Sequence, residues 1–505
     1  MRNHGLVFLT AVLGMVALGV VACSDDGALG GGAPPGSSGG GTSGGGTSGS
    51  SGDNGSSGDN GRPQEIVEGD ITASRTLTAN KNWLLKGIVS VKAGATLTIE
   101  KGTVIKGDNA SKAILLIETG GKINAVGTAE EPIVFTSQAA DGAKQAGDWG
   151  GIILLGKAPI NVKDSAGAPI QANVEGLLKG SGKGATTTYG GADPEDSSGA
   201  LQYVRIEYSG VILAANNEVN GLTFAGVGRG TKVDHIQVRH TLDDCFEWFG
   251  GTVDAKYLAC QHNEDDGFDF AEGYVGRLQF LVLQQDPTHE GDDNGIESDN
   301  DTNGTTNTPL TAPQMYNATL CGKNKSLGSQ QMGLLLRLNT RGTYKNLVVT
   351  GFQAALDLRD NIGPSGNTGT LGELSLTGSL VWNSTGAGNA FPVTDHIAFV
   401  EDKTLIPGGE DEKKYKARPD WNDDNAIDEV AWFGTGSTNR SADPGIAGCF
   451  NATAPVFGPA VSLTEKAAVP PNDGFFDAAA TYMGAFKDAN DKWATTGKWA
   501  VWSDK

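Results

Sequence analysis

Three short phrases in this chain hold carboxylates in register. Asp243-Asp244-Cys245-Phe246-Glu247-Trp248-Phe249 returns as Asp265-Asp266-Gly267-Phe268-Asp269-Phe270, and more loosely as Asp293-Asn294-Gly295-Ile296-Glu297-Ser298. Glu247, Asp269 and Glu297 are spaced by 22 and then 28 residues. A period near 22, built from short apolar runs and turn residues, is the signature of a stacked β-solenoid. Stacking puts the three acids in one column with rungs ~4.8 Å apart. Each pair then repels by about 0.9 kcal/mol in water but about 3.5 kcal/mol at an effective dielectric of 20. Buried in a groove, such a column needs protonation, an arginine or a bound cation.

Two chemistries suit it. Acids on neighbouring rungs approach the ~5–5.5 Å of a retaining glycosidase, and two rungs reach the edge of the ~6.5–9.5 Å of an inverting one. In that reading Glu247, Asp269 and Glu297 are the catalytic candidates. A β-elimination would also want a base, for which Arg239, Arg277, Arg337 and Arg359 are available outside any motif. The second chemistry is Ca²⁺ binding, since that ion takes six to eight oxygens. Its candidate ligands are Asp243, Asp244, Asp265, Asp266, Asp269, Asp299, Asp301 and Asn303. The run Asp299-Asn300-Asp301-Thr302-Asn303-Gly304 copies the first half of a calcium loop, but Leu310 stands where a bidentate Glu belongs. The competing use is structural, because Asp-Gly and Asn-Gly also start tight turns through side-chain-to-backbone bonds.

The elements that must position these residues are strands. Trp83–Val91, Ala95–Ile99, Thr103–Gly107, Ala113–Ile117 and Ile133–Thr136 are runs of four to nine residues broken by Gly or polar turns, with no helical period. The pattern continues in Trp149-Gly150-Gly151-Ile152-Ile153-Leu154, in Tyr203–Tyr208, and through the acidic phrases to Ala355-Leu356-Asp357-Leu358. Residues 157–200 and 299–312 read as insertions between coils. The solenoid is expected over 63–400 and a C-terminal capping region over 401–505, with short helices at Ala478–Ala480 and Ala485–Asp488. Trp248 and Phe249, if exposed, would offer a sugar platform; Trp248 shares a strand face with Phe246, and core packing is its expected job. His235 and His240 flank a strand and read as packing or polar surface.

The ends and the composition set the compartment. Residues 1–22 form an n-region and a short apolar run, too short for an ordinary spanning helix. Val20-Val21-Ala22-Cys23 resembles a lipobox, which implies lipidation at Cys23, a membrane partner through that lipid, and sorting to the outer membrane of a Gram-negative bacterium. Residues 23–62 then form a Gly/Ser-rich tether that buries no core. The chain has 75 Gly and 59 acids against 38 bases, a net charge of −21. That balance argues against nucleic acid and for cations or a soluble surface. The remaining cysteines, Cys245, Cys260, Cys321 and Cys449, are even in number. A local Cys245–Cys260 pair and a Cys321–Cys449 staple are plausible in an oxidising compartment; free thiols are the alternative.

The blocks Trp149–Leu154, Asn220-Gly221-Leu222-Thr223, Phe246–Val253, Gly295–Asn300 and Gly474-Phe475-Phe476-Asp477 resemble a group of bacterial cell-surface lipoproteins with a right-handed parallel β-helix body, largely without assigned activity. The resemblance implies the fold and a surface location, and no reaction. On this reading the protein is a non-catalytic binding, adhesion or scaffolding module, with Ca²⁺ and a glycan or cell-envelope component as partners. The alternative is a polysaccharide lyase or glycoside hydrolase using the stacked acids.

Overall fold

The computed structural model describes residues 62–503, apart from 176, 178–185, 215–216, 290–293, 325–330, 353, 359–372, 383–431 and 435–437. Residues 1–61, which hold the expected signal segment, Cys23 and all but the last residue of the expected tether, and Arg359 lie outside the described residues. The body is an all-β, right-handed parallel β-helix with a small C-terminal cap.

Each coil contributes to three ladders. The first contains Gly151–Leu155, Leu222–Ala225, Phe246–Phe249, Phe268–Ala271, Ile296–Ser298, Leu334–Leu336 and Asp357–Leu358, each parallel to the next. The other two ladders share long bent strands, among them Lys232–Thr241, Ala255–Asn263, Arg277–Gln284 and Gln314–Cys321. At the bend every coil carries a residue with positive φ: Tyr203, His235, Tyr257, Phe280, Asn317 and Asn346. None is β-branched, so the left-handed conformation is reached at modest cost. Because the bends stack, so do their rings. Tyr203 lies 4.3 Å from His235, and His235 lies 4.3 Å from Tyr257. His235 is thus a packing residue.

Alternation on the first ladder decides which side chains face inward. Phe224, Trp248 and Phe270 stack through the interior, with centroids 5.4 and 4.9 Å apart. Phe246 stacks on Phe268 at 5.5 Å. Trp248 is fully buried, as its place in the repeat predicts. The outward column on the same strands reads Ile153, Thr223, Glu247, Asp269, Glu297, Leu335 and Asp357.

The turn before this ladder is itself a ladder of side chains. Asp244 Oδ1 accepts the Asp266 N–H at 2.8 Å, Asp266 Oδ1 accepts the Asn294 N–H at 2.9 Å, and Asn294 Oδ1 accepts the Met332 N–H at 3.0 Å. Each bond ties one coil to the next. Where the acceptor is charged it contributes about 1.5–3 kcal/mol. Cys245 and Cys260 are joined beside this turn, with Cα atoms 5.8 Å apart.

The parallel ladder ends at Arg440–Ser441, which pairs with Leu380–Trp382. From there to Ser503 the chain is nearly all turn and bend. Ala478–Ala480 and Ala485–Asp488 form no helix, correcting that expectation. Their Gly, Asn and Asp neighbours favour turns over helix continuation. This segment does more than close an end. It lies along the outer face of the second ladder, where Phe457, Met483, Phe486, Trp499 and Trp502 cover Ala259, Val282, Val348 and Leu380. Amide side chains of the ladder grip its backbone. Gln237 both donates to Val501 O at 2.9 Å and accepts from Val501 N at 2.8 Å. Gln261 donates to Trp502 O, Gln284 to Cys449 O, and Asn317 to Tyr482 O. Cys321 and Cys449 join it covalently.

Truncating the central ring of the interior stack, Trp248→Ala, is expected to lower unfolding free energy by about 3–5 kcal/mol. Equilibrium denaturation would measure it; a loss below about 1 kcal/mol would contradict this packing.

Candidate functional site

The outward column is not open to water. The described residues of the 158–198 stretch leave the solenoid and fold back over it. Ile160, Val174, Leu177 and Tyr189 from this insertion pack with Ile153, Leu155, Ala225 and Phe249, joined by Val211 and Val219 of a short hairpin. Phe249 is therefore covered, with its ring 6.3 Å from Tyr189, and offers no exposed sugar platform. The second insertion joins the wall. Asn161 donates to Asn300 O at 2.8 Å and to Asn300 Oδ1 at 3.0 Å.

Under this wall the acids divide by how their charge is met. Glu297 and Asp299 share one cation. Arg337 pairs with Asp299 at 2.9 Å and also binds Glu297. Those two carboxylates and the charge of Asp266 hold its proton well above even the usual guanidinium range against burial. Among the described residues, neither Glu247 nor Asp269 forms an ion pair with such a cation. Glu247 is 7% exposed and accepts a hydrogen bond from the Asn220 amide. Burial first, then Asp269, Glu175, Asp243 and Glu272, push its proton affinity well above the carboxylate range. Asp269 is raised by burial, then by Glu297, Asp266 and Asp299, with Arg337 opposing. Its Oδ1 is buried without a hydrogen-bond partner among the described residues.

Two triads of oxygens result. Asp244, Glu247 and Asp269 present carboxylate oxygens all within 4.8 Å of one another, and so do Asp243, Asp244 and Asp265. An all-carboxylate donor set is hard and suits Ca²⁺ or Mg²⁺ rather than zinc. The other metal candidates have different occupations. Asp266 belongs to the turn ladder. Asp299 holds Arg337. Asp301 closes its own turn by accepting the Asn303 N–H at 3.0 Å and the Thr305 N–H at 3.1 Å, and Asn303 is exposed. The calcium-loop likeness is thus a self-capped turn, because a short loop satisfies its own donors before any outside partner.

Four site residues, Glu175, Tyr189, Glu218 and Glu272, escaped the repeat pattern. Glu175 comes from the first insertion and faces Glu218 of the hairpin; burial and then Glu218 push it up to about 8. Burial and Glu218 likewise push Asp243 up to about 7. Glu272 follows Asp269 by three residues, where the two preceding coils place Gly226 and Gly250. All three positions have positive φ: 59°, 63° and 53° for Glu272. A Glu in the left-handed region where its neighbours use Gly is strained. Its carboxylate accepts the Tyr189 hydroxyl, and burial pushes it up to about 7 although that hydrogen bond opposes the shift. The clue was present in sequence: an acid replaces glycine in the third copy. Arg277 binds Asp254 and Asp473, and Arg239 binds Gln261, so neither serves this groove.

A family model described as a pectate-lyase like beta helix domain matches residues 69–395. No curated protein and no solved structure matches the chain. The match and the clustered acids together overturn the expectation that this is a non-catalytic module, since they are more consistent with a catalytic β-helix. That expectation leaned on the lack of a recognisable catalytic motif, and here the acids meet only through the stacking of distant coils.

Raised carboxyl pKa values fix the sign of a pH effect. The folded state binds more protons than the unfolded one between the ordinary carboxylate range and about 7–8, the values of Asp243, Glu272 and Glu175. Stability from these groups is fully present at low pH and is lost as pH rises through that window. In chelator the melting temperature is expected to fall from about pH 5 to about pH 8, and Ca²⁺ to restore it at the upper end. A flat profile, or identical melts with and without chelator, would contradict this account.

Proposed function

We propose, for a chain that belongs to the pectate-lyase like β-helix family, that it cleaves an acidic polysaccharide by cation-assisted β-elimination in this groove. The observation that carries the reading is the Asp244–Glu247–Asp269 triad, acids crowded within 4.8 Å on the outer face of the solenoid, one with a bare buried oxygen. A groove walled by acids repels a uronate polymer. Asp244, Glu247 and Asp269 would hold a divalent cation, which would offset most of their charge and offer a positive centre to a substrate carboxylate.

The chain's own residues supply the rest. Glu272 is partly exposed at the groove and titrates near 7, the right range for a general base at neutral pH. It takes the proton α to the uronate carboxylate, and the glycosidic oxygen β to it leaves. Tyr189 orients Glu272 through its hydroxyl. Arg337 is no base, because Glu297 and Asp299 hold its proton; it offsets their charge at the lower end of the column. Hydrolysis is the second reading. It is favoured by the close approach of Glu247 and Asp269, near the separation of a retaining pair.

The anchoring belongs to the same proposal. Lipid on Cys23 and the coil of residues 23–62 would hold the body at the outer-membrane surface, where extracellular polymer is met. Several acyl chains exceed the two-signal requirement for stable anchoring. Loss of labelled acyl incorporation in Cys23→Ser is the expected result.

The test is incubation of the full-length protein with uronate-containing and neutral polysaccharides, with and without Ca²⁺. Unsaturated uronate products that appear only with cation are expected. Reducing ends without unsaturation would replace elimination by hydrolysis, and no cleavage of any polymer would overturn both. Activity should rise with pH through about 7, as Glu272 deprotonates. Glu272→Gln should lower kcat by about 10²–10⁴-fold. Tyr189→Phe should move the pH midpoint upward, since the hydroxyl stabilises the ionised form.

A further inference from the structure

Among the described groove acids, only Glu272 sits at positive φ. A non-glycine residue stays in that conformation only where its surroundings over-determine it. The start of the first insertion runs past the three stacked left-handed positions. The Ala158 N–H donates to Gly226 O at 2.8 Å, Pro159 O accepts the Gly251 N–H at 2.9 Å, and the Asn161 N–H donates to Glu272 O at 2.9 Å. At Gly250 this segment leaves no room for a side chain, since a Cβ there would lie 2.6 Å from Ile160 Cγ2. One coil later a side chain is accommodated, and its carboxylate reaches the Tyr189 hydroxyl. We propose that Asn161, Asn300 and Thr311 are positioning residues for Glu272, a latch between the two insertions that keeps its carboxylate in the groove. The catalytic consequence rests on the reading of Glu272 as the base; the latch itself is a separate claim.

The latch acts on one peptide group. The carbonyl of the Glu272–Gly273 peptide accepts from Asn161 of the first insertion, and its N–H donates to Thr311 Oγ1 of the second at 2.8 Å. A planar peptide held at both ends cannot rotate, so the backbone of Glu272 is fixed and with it the direction of the side chain. The two holders are tied to each other. The Asn161 amide donates to Asn300 O at 2.8 Å and Asn300 Oδ1 at 3.0 Å, and Asn300 Oδ1 also accepts the Thr311 N–H at 2.9 Å.

Stability alone does not call for an amide at position 161. Asn161 is 1% exposed, and its Oδ1 is buried without a hydrogen-bond partner among the described residues. A bare buried oxygen is costly, and an apolar side chain there would avoid it. What Asn161 supplies is the donor that joins the insertions. Asn300 and Thr311 are fully buried as well, so the latch is closed to competing water.

Breaking it has a signed consequence. The groups that face the Glu272 carboxyl are the Tyr189 hydroxyl, Asp301 and Glu247. Burial is the largest cause of its raised proton affinity. If the peptide turns, the carboxyl reaches water and its titration midpoint falls from about 7 toward the ordinary glutamate range. That is opposite in sign to the change expected for Tyr189→Phe.

The experiment uses the full-length protein with Asn161→Leu and Thr311→Val, and Thr311→Ser as the variant that keeps the hydroxyl. The Glu272 midpoint is read without substrate, by carboxyl-carbon NMR of protein labelled at glutamate, with Glu272→Gln assigning the signal. Both disruptive variants should lower the midpoint by about one pH unit or more, and Thr311→Ser should leave it in place. With a cleaved polymer, kcat should fall about tenfold or more while KM stays within about twofold. In a Glu272→Gln background Asn161→Leu should lower kcat no further. A midpoint unmoved in Asn161→Leu and Thr311→Val, or moved equally in Thr311→Ser, would overturn the latch. If Asn161→Leu does not fold, Thr311→Val carries the test. The NMR arm needs no reaction, so a protein that cleaves nothing would remove the proposed activity and still decide the latch.

Discussion

Parallel stacking forces every side chain to meet its counterpart one coil away, ~4.8 Å distant. Each column along the solenoid must therefore be compatible with itself. Where the counterparts are rings, they stack: Phe224 on Trp248 on Phe270 inside, Tyr203 on His235 on Tyr257 at the bend. Where they are Asp and Asn at the turn, each accepts the next backbone N–H. Where they are acids on the outer face, self-compatibility fails, and something else must supply the balance. The molecule answers with Arg337 at one end of the acid column, and among the described residues no cation pairs with Glu247 at the other.

That imbalance is what separates the groove from the rest of the surface. A buried pair of like charges is tolerated only when its neighbours neutralise it or when the protons stay on. Nearly every acid in the upper part of the groove is pushed up, by burial first and by other acids second. The insertion causes both effects. By covering Phe249 and Ile153 it removes water, and by bringing Glu175 it adds another carboxylate. The same apolar contacts that hold Ile160, Val174, Leu177 and Tyr189 on the solenoid therefore set the electrostatics beneath them.

How much of this was legible depended on whether a residue obeyed the repeat. Glu247, Asp269 and Glu297 do, and their pairing in one column follows from the aligned phrases. Trp248 in the core follows from the same alternation. Glu175 and Glu218 lie in excursions with no period, so nothing in their spacing says what they face. Glu272 broke the pattern instead of following it, taking a left-handed position held by Gly226 and Gly250, and a search for recurrence passes over such an exception. Arg337 could not be assigned because its partners, Glu297 and Asp299, belong to the preceding coil. The calcium-loop string at Asp299 matched in composition alone; the hydrogen bonds of Asp301 show a loop that satisfies itself.

The amide-bearing flank has a consequence for how the chain is completed. Gln237, Gln261 and Gln284 come from successive coils, and each grips a peptide group of residues 449–502. Those grips exist only after the coils have stacked in register, because their spacing is that of finished rungs. Residues 449–502 follow these coils in the chain and thus test the alignment of the rungs made before them, and the Cys321–Cys449 bond locks the closed state once it is reached. A coil slipped by one residue would turn its glutamine inward and leave the closing segment with no seat. Quality control of the solenoid is in this sense written into the segment that follows it.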